Sequence, residues 1–110
     1  MASGVKFMPN IFSNIPNTIP EEIFEDILST EEVRIERILS HGQSSPETGW
    51  YDQAENEWVL VLRGQGVIEF ENGQLVTLSA GDYFNIKAGE KHRVASTTAE
   101  EITVWLAIFY

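Results

Sequence analysis

From residue 33 to the end, apolar and polar residues alternate in several segments, which is typical of strands with one buried face. Alternation or short apolar runs predict strands at residues 33–39, 57–62, 67–70, 74–78, 83–86, 92–96 and 102–109. Turn formers separate these segments, and the polar stretch 42–49 is either a loop or a weakly paired edge. The dipeptide Asn72-Gly73 predicts a type I′ hairpin turn, because both residues tolerate positive φ. Seven or eight short strands with regular glycine turns indicate an all-β sandwich or barrel.

The last predicted strand is apolar on both faces. One face carries Thr103, Trp105, Ala107 and Phe109, and the other carries Ile102, Val104, Leu106 and Ile108. Such a strand is either buried on both sides or covered on one side by a second subunit.

The first 31 residues have a different pattern. Residues 1–17 combine Pro and Asn with scattered apolar residues, which predicts an extended arm. Thr18 and Glu21 have the spacing of a helix capping box. Apolar residues follow at helical spacing, namely Ile19, Ile23, Phe24, Ile27 and Leu28. We therefore predict one short helix that ends near Ser29, and we divide the chain into an arm with a helix (1–31) and a β-barrel domain (32–110).

Composition narrows the class of protein. The chain has 110 residues, a formal net charge of -10, only seven Lys and Arg residues and no Cys. This length supports a single hydrophobic core. The acidic charge argues against nucleic acid and against anionic membranes as partners. The lack of cysteine excludes thiolate ligands and disulfides and suits a reducing compartment, and no segment has the pattern of a signal peptide, so we expect a cytoplasmic domain.

Two blocks of residues carry the candidate chemistry. In the first block, Glu57 opens an apolar run and Gly64 follows it. In the second, Gly81 is followed by Gly89 and then by His92. The spacings resemble the paired motifs of the cupin superfamily. The amino-acid sequence at residues 50–59 and 92–94 resembles that of a group of small bacterial cupins with a degenerate first motif. The resemblance implies a double-stranded β-helix, the cupin jelly-roll barrel, over roughly residues 33–109.

The resemblance also implies a site at the mouth of the barrel. In cupins, three histidines and one glutamate hold a divalent metal there, and such ligands suit Fe, Mn, Ni or Zn. Glu57 and His92 match two of these four positions, whereas the two first-block histidines are replaced. Depending on the spacing before Glu57, the replacements are Trp50 and Asp52 or Tyr51 and Gln53. The ligand set that the resemblance implies is therefore Glu57, His92, and Asp52 or Gln53.

Other interpretations of the same residues stay open. Glu57 is equally interpreted as a polar residue that hydrogen-bonds Tyr51, Gln53 or His92 in a metal-free pocket for a small polar ligand. Aromatic residues are candidates for the pocket walls, namely Trp50, Tyr51, Trp58, Tyr83 and Trp105. His41, which adjoins Gly42, is interpreted as a turn residue. The group of small cupins implies no particular activity, and our first hypothesis is a small metal-binding cupin that acts on a small organic molecule, for example as an oxygenase or isomerase. We also expect a homodimer that uses the last strand and the arm.

Overall fold

In the described part of the chain, eight antiparallel strands form two sheets. The computed structural model describes residue 4 and residues 7–45 and 49–110. The strands are β1 (Ile23–Ser29), β2 (Arg34–Ser40), β3 (Glu57–Arg63), β4 (Gln65–Phe70), β5 (Leu75–Ser79), β6 (Tyr83–Ile86), β7 (His92–Thr97) and β8 (Thr103–Phe109). The larger sheet has the order β1-β2-β8-β3-β6, and the smaller sheet has the order β5-β4-β7. The all-β prediction is confirmed, and β2 to β8 match the predicted strands to within a few residues.

The predicted helix is wrong, because its second half is strand β1. This strand pairs antiparallel with β2, from Ile23 opposite Leu39 to Ser29 opposite Arg34. The apolar residues of the segment include pairs four positions apart, such as Ile23 and Ile27, and a spacing of four suits a strand as well as a helix. Backbone pairing along the whole of β2 then decides for the strand. The described residues form no helix that is long and apolar enough to cross a membrane.

The β4–β5 hairpin also differs from the prediction. Gly73 has a φ of 91°, whereas Asn72 is not among the described residues with positive φ. The backbone N–H of Gly73 donates to the carbonyl of Phe70 at 2.9 Å. These features are those of a type I turn followed by a left-handed glycine, so the type I′ prediction is wrong.

Strand β8 lies between β2 and β3 and separates two hydrophobic clusters. The inner cluster lies between the sheets and contains Val59, Val61, Ile68, Phe70, Leu78, Ile86 and Trp105. The outer cluster contains Ile19, Leu39 and Val104. Each face of β8 therefore has a buried residue packed within the same chain, Trp105 on the inner face and Val104 on the outer face, whereas Leu106 and Ile108 on the outer face are only partly buried.

The N-terminal arm covers the outer face of the larger sheet. Ile19 is buried in the outer cluster, and Ile15 packs beside it. The buried guanidinium of Arg37 donates to the carbonyls of Ile11 at 2.9 Å and Ser13 at 2.6 Å. These contacts place the arm across its own domain. Residues 1–3 and 5–6 of the predicted arm, and residues 46–48 of the predicted loop, lie outside the described residues.

Candidate functional site

A cavity of about 240 Å³ lies between the two sheets. Its walls come from both sheets and from the segment before β3. The lining residues are Glu22, Phe24, Glu36, Ile38, Tyr51, Gln53, Glu57, Val59, Ile68, Ile86, His92, Val94, Trp105 and Phe109. Eight of the fourteen lining side chains are apolar and six are polar or charged, and such a combination of apolar walls with polar groups is usual in small-molecule sites.

Glu57 and His92 face each other in this cavity. Glu57 begins β3 and His92 begins β7, so the two sheets contribute one residue each. His92 Nε2 lies 3.5 Å from Glu57 Oε1, an ion-pair separation that is longer than a well-formed N–H···O hydrogen bond. Both residues are buried, with 9% of Glu57 and 5% of His92 exposed. The structure therefore brings the predicted acid and imidazole together.

The backbone fixes the tautomer of His92. Its Nδ1 lies 2.9 Å from the carbonyl oxygen of Glu90, which can only accept a hydrogen bond, so Nδ1 carries a proton. In the neutral imidazole, Nε2 then presents its lone pair to Glu57. Burial works to lower the pKa of His92, but the contact with Glu57, the Glu90 carbonyl and the charges of both acids outweigh it and raise the pKa above 6.5. The pair can thus hold or exchange a proton at Nε2.

The segment before β3 resolves the alternative left open by the sequence. Tyr51 and Gln53 line the cavity, whereas Asp52 is exposed and Trp50 lies against Arg93, whose guanidinium carbon is 4.8 Å from the indole centroid. Gln53 Nε2 donates to Glu57 Oε1 at 3.1 Å. The cause is local, because Tyr51 forms an isolated antiparallel bridge with the first residue of β7 and side chains alternate on either side of it.

Of the other predicted pocket aromatics, the cavity wall includes Trp105 and excludes Trp58 and Tyr83. Because Glu57 and Val59 point inward, Trp58 between them points outward. There it stacks with Tyr83 at a centroid distance of 5.5 Å. Trp105 is 3% exposed, and its six-membered ring lies against Gly66.

Nine of the fourteen lining residues are not among those that the sequence analysis named for the site, and three of them need comment. Glu22 and Phe24 lie in the segment that was predicted to be a helix, and Glu36 lies on β2. Burial raises the pKa of Glu36; Arg34 opposes this through a 3.0 Å hydrogen bond and its charge, and the net shift is upward. Strand alternation could have placed Glu36, since it shares a face with Ile38. His41 lies outside the cavity, with Nε2 3.0 Å from the carbonyl of Ala99.

The side chains in the cavity do not form a ligand set for a tightly held metal. His92 Nε2 and Glu57 Oε1 are the two potential metal-ligand atoms that face each other, and Asp52 is turned away. A catalytic metal such as zinc takes three protein ligands. Within residues 7–45 and 49–110, no group of three or more His, Cys, Asp or Glu side chains is arranged to hold an ion. Gln53 directs its amide N–H, and not its carbonyl oxygen, at Glu57.

A family comparison identifies the fold. The sequence profile described as the cupin domain matches residues 36–109, which is most of the chain. The chain belongs to the cupin family. The match contains β2 to β8 almost entirely, and it leaves the arm and β1 outside.

Solved structures agree with this assignment. A protein from Ralstonia eutropha JMP134, provisionally named a mannose-6-phosphate isomerase, is 40% identical, with 94% of this chain and 97% of that chain covered and a TM-score of 0.89. A cupin superfamily protein from Desulfitobacterium hafniense DCB-2 is 19% identical over 96% of this chain and 92% of its own, with a TM-score of 0.75. A Klebsiella pneumoniae protein with a double-stranded β-helix domain is 18% identical over 96% and 90%, with a TM-score of 0.74.

The cupin jelly-roll prediction is therefore confirmed as a double-stranded β-helix. The two more distant structures bear on the fold alone. Among curated proteins, none matches this sequence.

Proposed function

We propose that this cupin binds a compact, uncharged organic molecule in the cavity between its sheets, with a polar group of that molecule at the Glu57–His92 pair. The observation that carries the proposal is the cavity itself, which joins a mostly apolar wall to a buried acid–imidazole pair. Taking about 30 Å³ per non-hydrogen atom, as in liquid water, its 240 Å³ holds on the order of ten such atoms. The ligand is therefore smaller than most cofactors.

Charge supports an uncharged ligand. Three carboxylates line the cavity, from Glu22, Glu36 and Glu57; Glu36 is paired with Arg34 and Glu57 faces His92, but no Lys or Arg from the described part of the chain itself lines the cavity. An anionic ligand would face like charges in a region of low dielectric constant. A neutral molecule with one or two oxygens avoids this repulsion, and its hydroxyl group can donate to Glu57.

A fragment screen tests the proposal. Saturation-transfer NMR with neutral fragments of about ten non-hydrogen atoms should find molecules that bind, each with an apolar ring and a polar group. Ile38→Trp, which places an indole in the cavity, should abolish these signals. Leu75→Trp is the matched control, because Leu75 is 61% exposed and outside the cavity wall. Fragments that bind equally well to the Ile38→Trp variant, or a screen without binders, would refute the proposal.

A second candidate is isomerisation of a sugar phosphate, which the 40% identity to the Ralstonia protein favours. The Glu57–His92 pair suits proton transfer next to a carbonyl, since a buried imidazole with a carboxylate partner can act as acid or base. The acidic wall argues against phosphate. We expect no conversion of mannose 6-phosphate, with or without added divalent metal; conversion that His92→Ala removes would establish this candidate instead.

The metal prediction is tested directly. The cupin resemblance implies Fe, Mn, Ni or Zn at Glu57 and His92, whereas the donor set supports a metal-free site. Protein purified without chelators should contain far less than one equivalent of these metals per chain by mass spectrometry. A content near one equivalent that His92→Ala abolishes would support a metal-binding cupin.

We also propose a homodimer formed through the β1 edge. Large apolar side chains on this edge strand are half exposed, namely Phe24, Ile27 and Leu28, and edge strands invite pairing. Light scattering at micromolar concentration should give twice the chain mass, and Ile27→Lys with Leu28→Lys should give the monomer. A monomeric wild type would contradict this. A cytoplasmic location stays a prediction.

A further inference from the structure

Each of the three carboxylates in the cavity wall has one paired oxygen. Glu22 Oε2 accepts a hydrogen bond from the hydroxyl of Ser40 at 2.9 Å, and Glu57 Oε1 accepts one from the amide of Gln53 at 3.1 Å. Glu36 Oε2 accepts one at 3.0 Å from an arginine of its own strand. The second oxygen of each carboxylate receives no hydrogen bond from a donor group of the described residues.

These second oxygens are accessible. Among the described residues, Trp105 Nε1 is the side-chain polar atom that is both fully buried and unpaired. The second oxygens of Glu22, Glu36 and Glu57 therefore retain accessible surface, and all three residues line the cavity. His92 faces the paired oxygen of Glu57, so it leaves the other one to a ligand. The wall thus lacks hydrogen-bond donors, and a ligand with donor groups can supply them.

Glu36 and Glu57 lie on opposite sides of β8. Glu36 is paired with Ala107 across the β2–β8 ladder, and Glu57 is paired with Phe109 across the β3–β8 ladder. Their strands are two spacings apart, which is about 10 Å. Arg34 of β2 holds the carboxylate of Glu36, whereas Glu57 is held from the other side of β8. We therefore expect the two carboxylates to need separate donors.

The neighbour of Glu36 on β1 is another acid. Asp26 lies opposite Glu36 in the register of β1 and β2. Burial and the charge of Asp26 raise the pKa of Glu36, against the effect of Arg34. While both acids are ionised, neither can donate to the other, and a hydroxyl group placed beside Glu36 can donate to it.

We propose that the cavity ligand is a small uncharged diol with an apolar body, and that Glu36 binds its second hydroxyl group. This inference rests on the proposed function and names its ligand class. The first hydroxyl donates to the open oxygen of Glu57, and the apolar wall holds the body between the two ends. Hydroxyl groups are preferred to ammonium groups, because a hydroxyl can also accept a hydrogen bond from a protonated His92, and an ammonium group only donates.

Two probes that differ in a single group test the inference. The first, para-xylylene glycol, carries a hydroxymethyl group at each end of a benzene ring. The second, para-ethylbenzyl alcohol, has a methyl group in place of one hydroxyl. At about pH 8, far above the ordinary pKa of a carboxyl group, the wild type should bind the glycol about tenfold more tightly, the usual effect of one hydrogen bond. The ¹H–¹⁵N NMR signal of the Trp105 indole follows both titrations, since Trp105 lines the cavity.

Variants of Glu36 locate the second hydroxyl. Glu36→Leu should remove the preference for the glycol, because it weakens glycol binding and leaves the alcohol bound at Glu57. Glu36→Gln keeps an acceptor oxygen and should retain part of the preference, whereas a general distortion of the cavity would weaken both probes equally. Glu71→Gln is the matched control and should keep the full preference, because Glu71 pairs with Lys91 and is outside the cavity wall.

The outcomes separate this inference from the proposed function. Equal affinities of the wild type for the two probes would overturn the diol inference and leave the proposed function intact. A preference that both Glu36 variants keep in full would overturn the role of Glu36. If Glu36→Leu does not fold, the wild type and Glu36→Gln decide. If neither probe nor any screened fragment binds, the inference and the proposed function both fail.

Discussion

The two faces of the five-stranded sheet differ in how tightly their side chains are packed and in whether their polar groups have partners. On the outer face, Leu39 and Val104 are completely buried under the arm. On the inner face, Ile38 and Trp105, their neighbours along the same strands, border an open cavity. The outer face is closed around Leu39 and Val104, and Arg37 on this face donates to carbonyls of the arm, whereas the inner face keeps a cavity and an indole N–H that has no partner among the described residues.

This difference separates stability from function within a single sheet. Packing without cavities and paired polar groups stabilise the outer face. The inner face is less tightly packed and is therefore stabilised less. A departure from close packing and from paired polar groups is expected at a functional site. Substitutions at neighbouring residues of one strand can therefore measure the two roles separately.

The largest effect is expected at Leu39. Leu39→Ala removes a fully buried side chain from the outer cluster and should lower the free energy of unfolding by about 2–5 kcal/mol. Ile38→Ala removes an isomeric side chain from the next position of β2, where it borders the cavity, and should cost less than half as much. Urea unfolding followed by tryptophan fluorescence measures both. Equal losses would show that the two faces are packed alike.

The next largest loss of stability is expected at the contact between the two sheets. Gly66→Ala forces Cβ into the ring of Trp105, and it should cost about 1–3 kcal/mol, as overpacked cores do. The ring should also shift, which changes the Trp105 indole signal. Gly4→Ala is the control, because no heavy atom of the described residues lies within 4 Å of its added Cβ. An unchanged indole signal in a stable Gly66→Ala variant would contradict the fixed ring.

A smaller effect is expected where the arm is attached. Arg37→Lys keeps the charge but loses the planar fork that reaches Ile11, Ser13 and Glu25 together. Glu25 is 43% exposed, so most of the expected loss of about 1–2 kcal/mol comes from the carbonyl bonds. Chymotrypsin should cut faster after Phe12 in this variant.

The control for the arm is Arg93→Lys. Arg93 pairs with Glu69 on the smaller sheet, whereas the arm covers the larger one. Equal cleavage rates after Phe12 in both variants would mean that Arg37 does not hold the arm.

Much of the fold could be predicted from the sequence. Strands β2 to β8 follow from alternation and from turns, and the motif spacing of Glu57 and His92 predicts their convergence, which the 3.5 Å distance shows. The alternation of side chains along β3 also predicts the direction of Trp58, which the sequence analysis did not use. With Glu57 and Val59 inward, Trp58 must point outward, so its proposed place in the pocket conflicted with the strand itself.

The rest depends on contacts between distant segments. An apolar spacing of four residues is compatible with helix and strand, and only the pairing of β1 with β2 decides between them. The bridge from Tyr51 to β7 decides that Gln53 and not Asp52 enters the cavity. The place of the Trp105 ring depends on Gly66 of the opposite sheet, which no local pattern records.

The smallest effect is a pH dependence at the inner face. Because the contact with Glu57 helps to raise the pKa of His92, proton NMR should show His92 titrating above 6.5, and Glu57→Gln should lower that midpoint. A raised pKa in the folded state means that the stabilisation is complete below the unfolded value of about 6.5 and is lost as pH rises through the folded value. The free energy of unfolding should therefore fall more in the wild-type protein than in Glu57→Gln as the pH rises from about 6 to about 8, a range around that midpoint. Glu71→Gln is the control, since Glu71 pairs with Lys91 at 3.7 Å. A His92 midpoint that Glu57→Gln leaves in place would show that the carboxylate does not hold the imidazolium, and the inner face would then lack its acid–base pair.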